Sequence, residues 1–304
     1  MAIDKAPGLA KDHFVSAQDG LRLHVREYGD RNAPRLPVVC LPGLARTVED
    51  FATLAPALAD DTAGPRRVVA IDSRGRGQSE YDSNPDNYNI AVELGDVVTV
   101  LTALGVGPAV FVGSSRGGLI TMLMAIAQPA AIAGVVLHDI GPVIEPAGLT
   151  RIKGYVGKLP QPENFADGGA ILQRLFGSQF PKFTVEQWLA AARRTWQMKD
   201  GALTTTYDVR LSRTLADVDT TQPPPPLWNE FDALSGVPVL VIRGALSDIL
   251  SAATVATMAA RHPGLQVIEV PDQGHVPAFD PAIVAKLRQF VAACDGKVGT
   301  SPKA

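Results

Sequence analysis

Short apolar runs alternate with helix-length segments along most of this chain, and that alternation limits the folds it can adopt. Runs rich in Val, Ile and Leu cover residues 36–41, 67–71, 109–113, 132–137, 237–242 and 266–270. Segments with apolar residues near helical spacing cover 48–59, 90–104, 116–127, 252–261 and 281–293. Strands without polar alternation are typical of sheets buried on both faces. The order predicts an α/β fold in which helices flank a mostly parallel sheet, preceded by an antiparallel hairpin around Asp19-Gly20.

One connection is too long for a single crossover. About ninety residues separate Gly141 from Gly236, and unstructured loops longer than about 15 residues are uncommon. We therefore predict that residues 1–141 and 236–304 form the α/β core and that 142–235 form an inserted helical cap. Predicted helices of the cap cover 171–176, 185–198 and 205–215. The cap holds ten of the 18 aromatic residues, which suggests an apolar underside, although each one is better explained by the core of the cap than by a pocket.

The pentapeptide Gly113-Ser114-Ser115-Arg116-Gly117 follows one predicted strand and opens a predicted helix. In the order strand, G-x-S-x-G, helix, the serine occupies a sharp turn at the carboxyl end of the strand and its hydroxyl points outward. The pattern alone is weak evidence in a chain with 28 glycines, so its position between a strand and a helix carries the interpretation. We predict that Ser115 is a nucleophile; a turn that merely feeds a buried helix is the alternative.

A serine nucleophile needs a base, a group that orients the base, and donors for the oxyanion. Asp248 and His275 follow the last two predicted strands, and both leave the sheet at the same edge as Ser115. Asp248 and His275 are therefore candidates for the orienting group and the base. Asp139 also follows a predicted strand and is the alternative acid.

The order Ser115, Asp248, His275, together with the turn at 72–79, resembles the α/β-hydrolase superfamily over nearly the whole chain. The resemblance implies that His275 acts as general base and then general acid, and that the Asp248 carboxylate fixes its tautomer. It also implies an oxyanion hole built from the backbone amides of Leu44 and Arg116. The side chains of Arg46 and Arg116 could together bind an acidic or carbonyl-rich substrate at the mouth of the site. The Arg116 side chain is better explained by pairing with a neighbouring carboxylate or with solvent.

A serine at position 115 argues against the epoxide hydrolases and haloalkane dehalogenases, whose nucleophile is an aspartate. We predict a carboxylic ester hydrolase of the capped, serine esterase-like branch, which needs no cofactor or metal and acts on a small apolar ester or related carbonyl compound. A carbon–carbon bond hydrolase or a lactonase would use the same triad. A ligand-binding protein without turnover is the alternative from another class.

Composition excludes several other classes of function. Lys and Arg number 28 against 31 Asp and Glu, a net charge of −3, so the chain has no field that would gather nucleic acid or an anionic membrane. The sequence shows neither a secretory signal nor an apolar run of roughly 18 residues, and we expect a cytoplasmic protein. Cys40 and Cys294 lack metal or disulfide spacing and are expected to be packed thiols. The oligomeric state is left open.

Overall fold

The computed structural model describes residues 10–62 and 64–298. The sequence shows no secretory signal over residues 1–12, and residues 1–9 of that stretch lie outside the described part of the structure. Its strands are β1 (Lys11–Ser16), β2 (Arg22–Tyr28), β3 (Val38–Leu41), β4 (Val68–Ile71), β5 (Ala109–Ser114), β6 (Ile132–His138), β7 (Trp196–Lys199), β8 (Ala202–Thr205), β9 (Val239–Gly244) and β10 (Gln266–Val270). Its α-helices are α1 (Leu54–Ala59), α2 (Ile90–Leu104), α3 (Arg116–Ala127), α4 (Pro146–Tyr155), α5 (Phe165–Phe176), α6 (Val185–Thr195), α7 (Trp228–Asp232), α8 (Ala252–Arg261) and α9 (Pro281–Val298).

Eight strands form one sheet in the order β1-β2-β4-β3-β5-β6-β9-β10. The β1–β2 pair is the expected antiparallel hairpin, and β2 pairs antiparallel with β4. All later neighbours, from β4 to β10, are parallel. The predicted α/β fold is therefore confirmed, and the carboxyl ends of β5, β6, β9 and β10 lie side by side at one edge of the sheet.

The sheet is buried on both faces, as its continuous apolar strands require. Val38 and Cys40 of β3 pack with residues of α1 and α9 on one face. Val39 and Leu41 alternate with them and pack with α2, α3 and α8 on the other face. Cys40 and Cys294 are both buried thiols, in agreement with the sequence argument. This two-sided packing holds the strand ends in fixed positions.

The inserted segment between β6 and β9 contains α4–α6, a small hairpin and a 3-10 helix at Val209–Leu215. It has an apolar cluster of its own, made by Ile171, Leu172, Phe180, Trp188, Ala192, Trp196 and Leu203. The helical insertion is confirmed, whereas its division from the core at residues 142 and 235 stays a prediction.

Two predicted helices of the insertion are wrong in part. The helix predicted over 185–198 ends at Thr195, and the chain continues as β7, which pairs antiparallel with β8. The turn between them contains Asp200 and Gly201, both with positive φ, 50° and 81°. Asp-Gly closes two-residue hairpins because this backbone matches the twist of the strands. The segment predicted as a helix over 205–215 accordingly begins as the end of β8 and forms a 3-10 helix only from Val209.

A third difference lies in the core, where the helix predicted over 48–59 is divided. A 3-10 helix covers Val48–Phe51, and α1 begins at Leu54. The first of these turns is fixed separately, because the Val48 amide donates to Asp72 Oδ1 at 2.8 Å.

No helix among the described residues has the length and apolar character needed to cross a bilayer.

Candidate active site

Ser115 occupies the turn between β5 and α3 with φ 49° and ψ −116°. Such a φ is strained for a residue with a side chain, and strained residues of this kind concentrate at functional sites. The flanking glycines allow the turn to form, because a Cβ at Gly117 would lie 2.1 Å from the Leu41 carbonyl oxygen and one at Gly113 would lie 2.6 Å from the backbone of Gly117. The predicted sharp turn is therefore present at Ser115.

His275 follows β10 and meets Ser115 across the edge of the sheet. Its Nε2 lies 2.8 Å from Ser115 Oγ, within hydrogen-bond distance. The two residues are 160 positions apart in the chain, so only the packing of β5 and β10 into one sheet brings them together.

The carboxylate in contact with His275 belongs to Asp139, which directly follows β6. Asp139 Oδ2 lies 2.7 Å from His275 Nδ1, and the residue is fully buried. The carboxylate also accepts hydrogen bonds from the Gly244 amide at 2.7 Å and from Ser247 Oγ at 2.6 Å. Because a carboxylate only accepts hydrogen bonds, Nδ1 carries the proton and Nε2 is free to accept one from Ser115.

Asp248, which the sequence argument favoured for this position, does not contact His275. Its carboxylate instead binds Arg151 through two hydrogen bonds of 2.7 and 2.8 Å. Burial opposes ionisation of Asp248, but the hydrogen bonds and charge of Arg151 outweigh it and hold the pKa of Asp248 below its usual value. The prediction that Asp248 contacts His275 is therefore wrong, and Asp139 makes this contact instead. Arg151 of the insertion holds the Asp248 carboxylate away from the imidazole.

The loop after β3 lies against the serine turn. A Cβ placed on Gly43 would be 3.6 Å from Ser115 Cβ, and the Leu44 carbonyl accepts a 2.7 Å hydrogen bond from Arg76 Nε, which fixes the loop. Among the described residues, neither the Leu44 amide nor the Arg116 amide has a hydrogen-bond acceptor. Arg116 is the first residue of α3, where amides lack partners within the helix. The role of these two amides as oxyanion donors stays a prediction.

The Arg116 side chain turns away from this loop. Its Nε donates to Glu93 Oε2 at 2.7 Å and its Nη2 donates to the Tyr88 carbonyl at 3.2 Å. Glu93 is buried and also binds Arg76. The expectation that Arg116 pairs with a neighbouring carboxylate is confirmed.

A model of the alpha/beta hydrolase fold family matches residues 37–282. The chain belongs to this family. It is similar to a 3-hydroxybutyrate-oligomer hydrolase from Cupriavidus necator, with 38% identity over 94% of this chain and 98% of that protein. The crystal structure of an alpha/beta hydrolase from Novosphingobium aromaticivorans has a TM-score of 0.87 and 39% identity, over 94% of this chain and 99% of the other. A 2-(acetamidomethylene)succinate hydrolase from Mesorhizobium japonicum is 27% identical over 96% of this chain and all of that protein. The protein is therefore a hydrolase of the α/β fold.

In this α/β-hydrolase a cavity of about 280 Å³ opens above Ser115 and His275. The insertion supplies its apolar wall, which includes Phe176, Phe180, Phe183 and Trp188. Six of the ten aromatic residues of the insertion line the cavity, and Phe180 and Trp188 also belong to the apolar cluster of the insertion. The same side chains thus serve core and pocket, a double use that the sequence argument did not foresee.

A polar contact that was not predicted from the sequence lies beside Ser115 in this hydrolase. Ser114 Oγ lies 2.9 Å from His138 Nδ1, and the His138 ring packs 4.3 Å from the ring of Phe279. Burial lowers the pKa of His138 to about 4, so its imidazole is neutral at neutral pH. The sequence offers one signal for this contact, because Ser114 precedes Ser115 at the end of one strand and His138 precedes Asp139 at the end of the next. Consecutive residues at a strand end project to opposite sides, so Ser114 and His138 can meet on the side away from Ser115 and Asp139.

Among the described residues, no group of three or more His, Cys, Asp or Glu side chains is arranged to hold a metal ion.

Proposed function

We propose that the protein is a carboxylic ester hydrolase in which Ser115 is the nucleophile, His275 the general base and Asp139 the acid that orients it. The hydrogen-bonded series Ser115 Oγ, His275 Nε2, His275 Nδ1 and Asp139 Oδ2, at 2.8 and 2.7 Å, is the observation that carries the proposal. Ser115 and His275 line a largely apolar cavity. A nucleophile, its base and an orienting group within hydrogen-bond reach are the elements that acyl transfer requires.

In the acylation step, His275 Nε2 accepts the Ser115 hydroxyl proton while Oγ attacks the ester carbonyl carbon. The carbonyl oxygen becomes an oxyanion, which accepts hydrogen bonds from the amides of Leu44 and Arg116. Asp139 stabilises the imidazolium that forms and keeps the proton on Nδ1. The imidazolium then donates its Nε2 proton to the leaving alkoxide as the carbon–oxygen bond breaks, which leaves an acyl group on Ser115.

Deacylation repeats these steps with water. His275 takes a proton from a water molecule, whose oxygen attacks the acyl carbon, and a second tetrahedral intermediate forms at the same two amides. Collapse of this intermediate returns the proton to Ser115 Oγ and releases the carboxylic acid. The buried Asp139 carboxylate is held by hydrogen bonds from the Gly244 amide and Ser247 Oγ, so it keeps His275 oriented through both steps.

We infer that the substrate is a short ester built from hydroxyacid units. The similarity to a 3-hydroxybutyrate-oligomer hydrolase spans nearly the full length of both chains, so the cap and the core are compared together. The apolar cavity wall suits small aliphatic groups. A panel of esters, lactones and β-diketones, tested together, separates this activity from lactone or carbon–carbon cleavage.

The proposed nucleophile is tested by labelling with a fluorophosphonate, which phosphonylates an activated serine. We expect the wild type to gain one label on the peptide that contains Ser115, and Ser115→Ala to gain none and to lose ester turnover by about 10⁴-fold or more. Ser114→Ala is the matched control, because it removes the neighbouring hydroxyl and leaves Ser115 in place. A label that persists in Ser115→Ala but disappears in Ser114→Ala would contradict the assignment.

A further inference from the structure

Three arginines line the cavity above Ser115, but they are not equally neutralised. Arg151 donates two hydrogen bonds to Asp248. Arg46 donates to both oxygens of Asp50. Arg194, in the last turn of α6, reaches Asp50 at 3.5 Å through an oxygen that Arg46 already binds. Within 10–62 and 64–298, the Arg194 guanidinium has no hydrogen-bond acceptor of its own.

The other ionisable groups of the cavity wall include no carboxylate among the described residues. These groups are His138, His275, Tyr155 and Tyr207. Burial lowers the pKa of His138 to about 4 and raises the pKa of both tyrosines above its usual value, so these three are neutral at neutral pH. Asp248 already binds Arg151, so Arg46 and Arg194 share the Asp50 carboxylate, the one carboxylate that the described residues place in the cavity wall, and Arg194 has the longer contact with it.

The Arg194 guanidinium lies where the cap meets the core. Arg46 follows Gly43 beside the nucleophile, and its Nη1 donates to Thr195 Oγ1 at 3.2 Å, next to Arg194 on the cap. Burial lowers the pKa of Arg194 and the nearby charge of Arg46 adds to this effect, whereas the charges of Asp50 and Glu49 oppose it. A bound anion would offset this repulsion, and a guanidinium presents paired donors that match a carboxylate.

We propose that Arg194, with Arg46 beside it, binds a carboxylate of the substrate, so that the enzyme selects esters that also carry a free acid group. This inference rests on the proposed ester hydrolase function and narrows its substrate class. A linear hydroxyacid oligomer has such a group at one end. In a dimer, the carboxylate belongs to the alcohol half that leaves when Ser115 is acylated, so Arg194 holds the leaving half and the apolar wall holds the acyl half.

The test compares the linear dimer of 3-hydroxybutyrate with its methyl ester, which differs in the charge at one end. Cleavage of the internal ester is followed by chromatography, and the ratio of kcat/KM for the two substrates cancels effects that they share. We expect the wild type to favour the acid by roughly tenfold to a hundredfold, as for a charge-assisted hydrogen-bonded pair. Arg194→Met should bring the ratio close to one, chiefly through KM for the acid.

Arg193→Met is the matched control, because Arg193 is the exposed neighbour on α6 and its guanidinium lies over the ring of Phe165, at 4.7 Å. It should retain the wild-type ratio. Arg194→Lys keeps the charge without the paired donors and should give an intermediate ratio. A wild type that cleaves the methyl ester as well as the acid, or an unchanged ratio in Arg194→Met, overturns the carboxylate site and leaves the ester hydrolase standing. A wild type that cleaves neither substrate overturns both proposals.

Discussion

Substitution of Asp139 by asparagine separates the two candidate acids with little disturbance of shape. The backbone of Asp139 has φ 54°, a region that asparagine also tolerates. The Gly244 amide donates to Oδ1 at 2.7 Å and must keep an acceptor, so the oxygen of the new amide stays on that side. The amide nitrogen then faces His275 Nδ1, where it can only donate.

This arrangement forces His275 into the opposite tautomer. With Nδ1 as an acceptor, the proton moves to Nε2, which can no longer accept the hydroxyl proton of Ser115. We expect kcat/KM for an ester to fall by about 10³–10⁴-fold, or about 4–5.5 kcal/mol in activation free energy. Asp248→Asn should lower it by less than about tenfold, because that carboxylate holds Arg151 rather than the base.

The assay is steady-state hydrolysis of a chromogenic short-chain ester, with thermal unfolding measured on both variants. Asp248→Asn weakens a half-buried ion pair between cap and core, so it should lose about 1–2 kcal/mol of stability while it keeps its activity. A larger activity loss in Asp248→Asn than in Asp139→Asn, with both variants folded, would refute the assignment of the acid. Activity of Asp139→Asn within tenfold of the wild type would refute the tautomer argument.

Two further predictions concern stability. His138 has a pKa of about 4 in the folded protein and about 6.5 in the unfolded chain, so the unfolded chain binds more protons between these two pH values. The free energy of unfolding should therefore fall by about 3 kcal/mol in total as the pH drops from about 6.5 to 4. Chemical denaturation at several pH values should show a smaller loss of stability in His138→Gln, and an equal loss in both proteins would contradict the buried neutral imidazole. Gly117→Ala should cost about 3 kcal/mol or more in unfolding free energy, because its Cβ would lie 2.1 Å from the Leu41 carbonyl oxygen. Gly95→Ala on α2, where a Cβ meets nothing within 4 Å, should instead stabilise by about 0.5–1 kcal/mol, and a similar effect at both positions would show that the close approach is not limiting.

Much of the core follows from local pattern. The apolar runs at β5 and β6 extend without polar alternation, and α2, α3 and α8 have the bounds that their apolar spacing predicts. The insertion is less predictable, because its helices are short and its hairpin interrupts a helical pattern at Asp200-Gly201. The Asp200-Gly201 dipeptide predicts a tight turn, but the helical spacing of the apolar residues before it favours a continuous helix.

The sequence by itself determined that a serine, a histidine and an aspartate would leave the sheet at one edge, because parallel strands end on the same side. It could not choose between Asp139 and Asp248. They follow β6 and β9, which are neighbours in the sheet, so both begin close to the loop that carries His275. Tertiary structure decided the choice: the Gly244 amide and Ser247 hydroxyl hold Asp139 against the imidazole, while Arg151, from an inserted helix about a hundred residues earlier in the chain, holds Asp248. Which distant groups donate hydrogen bonds to each carboxylate depends on tertiary packing, and no local sequence pattern predicts it.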